Sequence, residues 1–110
     1  MKQCEIWYAN LNPGKGSEQQ GFRPVVIISG NLLNQYLKVV IACPLTTKLK
    51  NYKGNVVLEP NADNGLTEKS EIIVFQIRSI SKDRLIRKIG AITEKQLSEL
   101  KLGLDDILRY

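Results

Sequence analysis

The sequence has no histidine and only two cysteines among its 110 residues. Without histidine, a Ser-His-Asp triad, an imidazole general acid or base and a zinc site with histidine ligands are all excluded. Cys4 and Cys43 are too few for a metal cage, and they are most simply reduced, buried residues. The apolar runs, such as residues 25–28 and 39–43, are far shorter than the roughly 20 residues of a membrane span. No targeting signal is visible at the start, so we expect no membrane association and a cytoplasmic protein.

Net charge, composition and chain length indicate the general type of protein. The chain has 16 Lys and Arg against 11 Asp and Glu, a net charge of +5 and a pI near 9.3. With 43% hydrophobic and 25% charged residues it is typical of a globular protein, and its length fits one domain over residues 1–110. The positive charge is compatible with a polyanionic partner and does not establish one.

The first two-thirds of the chain predict short strands separated by turns. Residues 4–9, 25–28, 38–43, 55–58, 70–80 and 87–92 are rich in β-branched and aromatic residues and are bounded by turn signals. Pro24 is expected to open the second strand and Pro44 to end the third. Residues 81–85 predict one short helical turn.

The last part of the chain changes to a helical period. Thr93 and Gln96 have the spacing of a capping box, and Leu97, Leu100, Leu104, Ile107 and Leu108 then recur at helical spacing. The predicted class is α+β and mainly β: a small, strongly curved sheet or barrel packed by a C-terminal amphipathic helix.

Three short segments carry residues suited to chemistry at a phosphate. In residues 16–24, Arg23 precedes a buried strand, and a guanidinium can grip a phosphate with two parallel hydrogen bonds. Thr46 and Thr47 lie at a strand exit, where a fixed hydroxyl can donate to an anionic oxygen. Gln76 and Arg78 are predicted to share one face of a strand. Each segment also has a plain structural interpretation: a surface ion pair between Arg23 and Glu18, an ordinary turn, and a half-exposed strand.

A basic loop with an aromatic residue follows the third strand. Lys48, Lys50 and Lys53 surround Tyr52, a pattern that suits single-stranded nucleic acid because bases stack on exposed rings. Such a run of charges is more often simply a solvated face.

Taken together, these segments resemble the MazF/PemK family of toxin endoribonucleases, also called mRNA interferases. The resemblance begins at residues 5–13, runs through 16–29, and continues through Pro44, Leu45, Thr46 and Thr47 to residues 76–80. It implies an SH3-like or CcdB-like β-barrel with a C-terminal helix, acting as a homodimer without cofactor or metal.

The resemblance also assigns roles to residues. The family's catalytic arginine, threonine and loop glutamate fall on Arg23, Thr46 and Glu18. Substrate contacts are expected from Gln76, Thr47, Ser17, Gln19, Lys48, Lys50, Tyr52 and Arg78. Some members have a histidine where this chain has Ser17, an acidic residue where it has Phe75 and an arginine where it has Ile73. The acid/base pair of those members therefore does not transfer to this chain.

The implied reaction is sequence-selective cleavage of single-stranded mRNA. The RNA's own 2′-OH attacks the adjacent phosphorus and leaves a 2′,3′-cyclic phosphate and a 5′-OH. We expect Arg23 and Thr46 to stabilise the charge of the phosphorane, while the groups that transfer protons stay open. The implied partner is an antitoxin with a DNA-binding part and a tail that covers the RNA groove. Two alternatives share the fold: a noncatalytic gyrase poison and a plain RNA-binding module.

Overall fold

The computed structural model describes residues 1–12, 16 and 21–110 of the chain. Seven strands form one antiparallel sheet: β1 Glu5–Asn10, β2 Phe22–Ile27, β3 Val39–Thr46, β4 Val56–Leu58, β5 Ser70–Ile72, β6 Arg78–Ser81 and β7 Leu85–Ala91. Two α-helices, α1 Asn31–Tyr36 and α2 Glu94–Arg109, and two 3₁₀ helices, Val74–Gln76 and Lys82–Arg84, complete it. The α+β class and the C-terminal helix are confirmed.

The sheet does not close into a full barrel. Within the part of the chain that the structure describes, the strand order is β4-β5-β3-β2-β1-β7, with β6 also paired to β3, and the two outer strands do not pair. Helix α2 packs on this sheet, where Leu97 and Leu100 are buried in one apolar cluster with Val56 and Leu58 of β4 and Ile6 of β1. The segment after β4 contacts β7, because the Ala91 N–H donates to the Asp63 carbonyl at 2.9 Å.

Strand β3 is the centre of the sheet. On one edge it pairs with β2; on the other its first half pairs with β6 and its last two residues with β5. Pro44 lies inside this strand, at the point where the second edge changes partner, so its missing N–H interrupts no ladder. The prediction that Pro44 ends the strand was therefore wrong, and Thr46 rather than Cys43 is its last residue.

Residues 70–80, predicted as one strand, form two. The 3₁₀ helix Val74–Gln76 separates β5 from β6, and each strand pairs with a different half of β3. The short helical turn predicted near residue 82 is confirmed as Lys82–Arg84. Cys4 and Cys43 are confirmed as free, buried thiols, and burial raises the pKa of Cys43 to about 12.

Helix α2 begins as predicted and makes one unusually close backbone contact. Thr93 accepts from the Gln96 N–H at 3.1 Å, and the Gln96 side chain accepts from the Thr93 N–H at 2.9 Å, so the capping box is confirmed. A Cβ atom built on buried Gly103 would lie 2.0 Å from the carbonyl oxygen of Gly54. This glycine therefore lets the helix approach the segment before β4.

We predict that Gly103→Ala destabilises the protein, although alanine is by itself the better helix former by about 1 kcal/mol. The clash with the Gly54 carbonyl should lower the free energy of unfolding by about 1–3 kcal/mol, measured by urea denaturation. Ser98→Ala, at an exposed position of the same helix, is the matched control and should change it by less than about 0.5 kcal/mol. A Gly103→Ala protein as stable as the control variant would contradict this close approach.

Candidate active site

Arg23, Thr46 and Thr47 line one small cleft. It has a volume of about 200 Å³, and Phe22, Pro24, Leu45 and Ser70 form the rest of its lining. The pairing of β2 with β3 brings these residues together, because Val25 of β2 is paired with Pro44 of β3. Two residues further along each strand, the same register sets Arg23 opposite Thr46. Residues directly opposite on antiparallel strands project from the same face, so a guanidinium and a hydroxyl are directed to one place.

The Thr46 hydroxyl has a fixed orientation. The side chain is buried, with 4% of its surface exposed, and its Oγ1 accepts the Lys48 N–H at 3.1 Å. A hydroxyl that accepts one hydrogen bond keeps its own hydrogen for donation. The prediction of a polar donor at the exit of β3 is consistent with this geometry, whereas Thr47 is exposed at the rim.

The next strand places a buried carboxylate in the same row. Glu71 of β5 is the cross-strand partner of Thr46 and is fully buried. Its Oε1 accepts the N–H groups of Lys50 at 2.7 Å and Asn51 at 2.8 Å, and its Oε2 accepts the side-chain amide of Asn55 at 2.6 Å. The backbone of Tyr52 lies near enough to help lower the pKa of this carboxyl. One side chain thus fixes residues 50–52. We call residues 48–53 the basic loop.

These hydrogen bonds decide the charge of Glu71. Burial by itself raises the pKa of the carboxyl, but hydrogen bonds from Asn55 and from the backbone of Asn51, Lys50 and Tyr52 outweigh it, so the pKa is lowered. The carboxylate is therefore ionised at neutral pH. Asn51 has a left-handed φ of 54°, which asparagine tolerates and which turns successive N–H groups toward one acceptor.

The basic loop presents its long side chains to solvent. Lys48, Lys50, Tyr52 and Lys53 are exposed, and the Tyr52 ring lies 5.8 Å from the ring of Phe75 between centroids. The predicted residues Lys48, Lys50 and Tyr52 are thus brought to one surface that starts at Thr46. The structure does not make these residues part of the cleft lining itself.

Gln76 and Arg78 are placed differently from the prediction. Gln76 ends the 3₁₀ helix and Arg78 begins β6, so strand alternation does not relate their side chains. Arg78 is paired with Ala42 near the middle of β3, four residues before Thr46. Both are half-buried and neither is among the residues that line the cleft.

The base of the loop that leads into Arg23 is well fixed. Asn12 Oδ1 accepts the Gly21 N–H at 2.9 Å, and Leu11 donates to the Gly21 carbonyl at 2.8 Å. Arg84 also donates to the carbonyl oxygens of Asn10 and Asn12. Three predicted site residues of this loop, Ser17, Glu18 and Gln19, lie outside the described residues, and their roles stay predictions.

Beside the cleft, aromatic residues continue the surface along β1 and β2. Phe22 is 55% exposed and stacks on Tyr8, with 6.2 Å between ring centroids and 23° between the rings. The Arg87 guanidinium lies 5.3 Å above the Tyr8 ring. Sequence reasoning missed Phe22, Phe75, Asn55 and Glu71; the one available signal was the charge of Glu71 directly before the apolar run of residues 72–75.

The described residues contain neither a candidate metal site nor a candidate membrane-spanning helix. In residues 1–12, 16 and 21–110 we find no group of three His, Cys, Asp or Glu that could hold a metal ion. None of the helices in these ranges is long and apolar enough to cross a membrane.

Comparison with known proteins gives consistent relatives over nearly the whole chain. A family model described as "PemK-like, MazF-like toxin of type II toxin-antitoxin system" matches residues 2–108. Endoribonuclease MazF of Staphylococcus saprophyticus is 32% identical over 106 residues, which cover 96% of this chain and 88% of that protein. Endoribonuclease EndoA of Bacillus subtilis is 31% identical over 105 residues, which cover 94% and 90%.

Solved structures share the fold. MazF of Deinococcus radiodurans matches with a TM-score of 0.86 over 100% of this chain and 97% of that chain, at 24% identity. A MazE–MazF complex of the same organism matches with a TM-score of 0.79 over 98% and 95%, at 25% identity. The open sheet covered by α2 is therefore an arrangement found in other proteins.

We predict that Glu71→Gln lowers the free energy of unfolding at pH 7 by roughly 1.5–3 kcal/mol, because glutamine lacks the charge and brings an NH₂ group toward the Asn55 amide. A carboxyl whose pKa is lowered on folding stabilises the protein above its unfolded pKa, and this contribution is lost as pH falls through the folded pKa. The difference between wild type and Glu71→Gln should therefore shrink below about pH 4.5, the ordinary value.

Urea denaturation at several pH values measures this difference. Hydrogen bonds from the Lys2 backbone, Trp7 and Lys88 also outweigh the burial of Glu5 and lower its pKa, but Glu5 is present in both proteins and cancels. Glu68→Gln removes the same charge from an exposed position and should change stability by less than about 0.5 kcal/mol. A gap between wild type and Glu71→Gln that stays constant down to pH 2 would refute the proposed ionised, hydrogen-bonded carboxylate.

Proposed function

Because the chain belongs to the PemK-like, MazF-like toxin family of type II toxin–antitoxin systems, we propose that this endoribonuclease cleaves single-stranded RNA at the cleft of Arg23 and Thr46. The main support for the proposal is that Arg23 of β2 lies in one cleft with Thr46 and Thr47, at the end of β3. A guanidinium and a fixed hydroxyl are the donors that an anionic phosphorane needs.

We propose a reaction in which the protein supplies no nucleophile. The 2′-oxygen of the RNA forms a bond to the adjacent phosphorus while the bond from phosphorus to the 5′-oxygen breaks. The 2′-hydroxyl gives up its proton, the leaving 5′-oxygen takes one up, and the products are a 2′,3′-cyclic phosphate and a 5′-OH. The nucleophile belongs to the substrate, so the protein has to align it and stabilise the developing charge.

Arg23 and Thr46 both donate to the reacting phosphate, from different strands. An arginine side chain is permanently charged in proteins, so Arg23 serves first as a donor to the phosphoryl oxygens. Thr46, oriented by the Lys48 N–H, donates a second hydrogen bond from the other side of the cleft. We propose that Glu18 assists from the preceding loop, either in proton transfer or in orienting Arg23.

The basic loop is the proposed binding surface for the rest of the RNA. Its lysines point to solvent, so each can neutralise a phosphate on a flexible strand. Unpaired bases are accessible to polar and aromatic side chains, which makes this loop and residues 14–20 the proposed source of sequence selectivity. Lys48, Lys50, Tyr52, Thr47, Ser17, Gln19, Gln76 and Arg78 are the proposed substrate contacts.

Partners are proposed from the family and from charge. A MazE–MazF complex is among the similar structures, as is an endoribonuclease in complex with its cognate antitoxin from a mycobacterial species. An antitoxin segment that covers the cationic surface would be acidic. We also propose a homodimer that acts on mRNA in the cytoplasm, without a metal.

Replacing Arg23 by alanine is expected to lower the rate of RNA cleavage by at least about 100-fold while the protein stays folded, because the phosphorane loses its charged donor. The measurement is gel analysis of a defined single-stranded RNA incubated with protein in EDTA, with identification of the fragment ends. Arg109→Ala, on the exposed end of α2, is the matched control and should cleave like wild type.

Two results would contradict this assignment of the site. Cleavage by Arg23→Ala at the wild-type rate would remove Arg23 from the site. Absence of cleavage by the wild-type protein, together with inhibition of gyrase, would favour the noncatalytic alternative.

Thr46→Val removes the hydroxyl at nearly constant volume and is expected to reduce cleavage by about 10²–10³-fold. Thr46→Ser restores the oxygen and should retain most of the activity, whereas a purely structural role for Thr46 predicts similar activity of both variants. The same gel assay distinguishes these cases, with circular dichroism to confirm that both variants are folded.

A further inference from the structure

We propose that Tyr52 and Phe75 form a stacking platform for an unpaired RNA base, a proposal that rests on the function proposed above. The two rings contact each other, with 5.8 Å between their centroids and 41° between their planes, yet Tyr52 is 53% and Phe75 47% exposed. A pair of large aromatic rings held at the surface leaves apolar faces in water, and a nucleobase is a flat ligand that would cover them.

Both rings are fixed to the same buried carboxylate. Tyr52 directly follows Lys50 and Asn51, whose N–H groups both donate to Glu71 Oε1. Phe75 follows Val74, whose N–H is bound at 3.0 Å by Asn55 Oδ1, while the Asn55 amide donates to Glu71 Oε2 at 2.6 Å. The backbones that carry the two rings are therefore positioned before a ligand arrives, which reduces the entropy lost on binding.

The surrounding charge favours RNA as the occupant. Lys48, Lys50 and Lys53 are exposed on the same loop as Tyr52. A stacked base brings its phosphates with it, and each lysine can neutralise one of them. An apolar protein segment would cover the rings without pairing with the lysines of the basic loop, and the acidic antitoxin segment proposed above is the competing occupant that the test below addresses.

The platform is also continuous with the cleft. The basic loop starts next to Thr46, whose Oγ1 binds the Lys48 N–H, and Thr46 is the cross-strand partner of Glu71. An RNA strand bound in the cleft can therefore reach the rings by following the basic loop. In this position the platform would hold a base near the scissile phosphate and contribute to sequence selectivity.

The test is a binding measurement with a probe that the enzyme cannot cleave. A fluorescein-labelled, single-stranded 2′-O-methyl oligonucleotide of mixed sequence lacks the attacking hydroxyl, and anisotropy gives its Kd. We expect Tyr52→Ala and Phe75→Ala each to weaken binding by about 5- to 100-fold, the range found for loss of one stacked base. Tyr52→Phe keeps the ring and should bind like wild type, whereas Phe75→Leu keeps apolar bulk without the ring and should bind weakly.

Salt dependence separates stacking from charge. Tyr52→Ala should leave the slope of log K against log salt unchanged, while Lys50→Gln should reduce its magnitude by about 0.7. An abasic oligonucleotide of the same length should bind wild type and Tyr52→Ala equally, because it offers phosphates without bases. Thermal unfolding confirms that each variant is folded.

Unchanged affinity of the Tyr52→Ala/Phe75→Ala double variant for the base-containing probe would overturn the platform and leave the rings to a protein partner. Equal weakening on the abasic probe would also overturn it, since the effect would then be independent of bases. Cleavage of unmodified RNA by the wild-type protein is scored separately, so failure of the proposed function is distinguished from failure of the platform.

Discussion

The buried carboxylate of Glu71 is the interaction on which the site depends. It accepts backbone N–H groups from the basic loop and the Asn55 amide, and it lies across from Thr46 in the ladder between β3 and β5. An isolated buried charge would be costly, so the hydrogen bonds from Lys50, Asn51 and Asn55 are required if Glu71 is to remain ionised. The same bonds that satisfy the carboxylate hold the basic loop beside the cleft.

Much of the fold follows from local sequence signals. The capping box at Thr93, the helical spacing of Leu97 and Leu100 and the short apolar runs of the sheet all correspond to observed elements. Helix α1 was missed because its buried residue is Asn34, bonded to Ser29, while Leu32 and Tyr36 are exposed, the inverse of an amphipathic pattern. Local patterns do not show which strands pair, so they could not show that the outer strands β4 and β7 stay unpaired.

The candidate site was predictable in part. Arg23 and Thr46 were identified from short motifs and a resemblance, and the register of β2 and β3 explains how they reach one cleft. Glu71 and Phe75 were not predicted, because their roles arise from contacts between residues far apart in sequence, such as the ring pair of Tyr52 and Phe75. Gln76 and Arg78 were predicted to alternate along one strand, but a 3₁₀ helix intervenes.

The central claim is that the Glu71 carboxylate fixes the basic loop before RNA binds. Amide hydrogen exchange at Lys50, Asn51 and Tyr52 tests it most directly, with wild type and Glu71→Gln compared at one pH. We expect protection of these three amides in wild type and exchange at least about tenfold faster in the variant, the change for 1.4 kcal/mol. Amides in the ladder between β1 and β2 should not change. Equal, unprotected exchange at the three loop amides in both proteins would contradict the account.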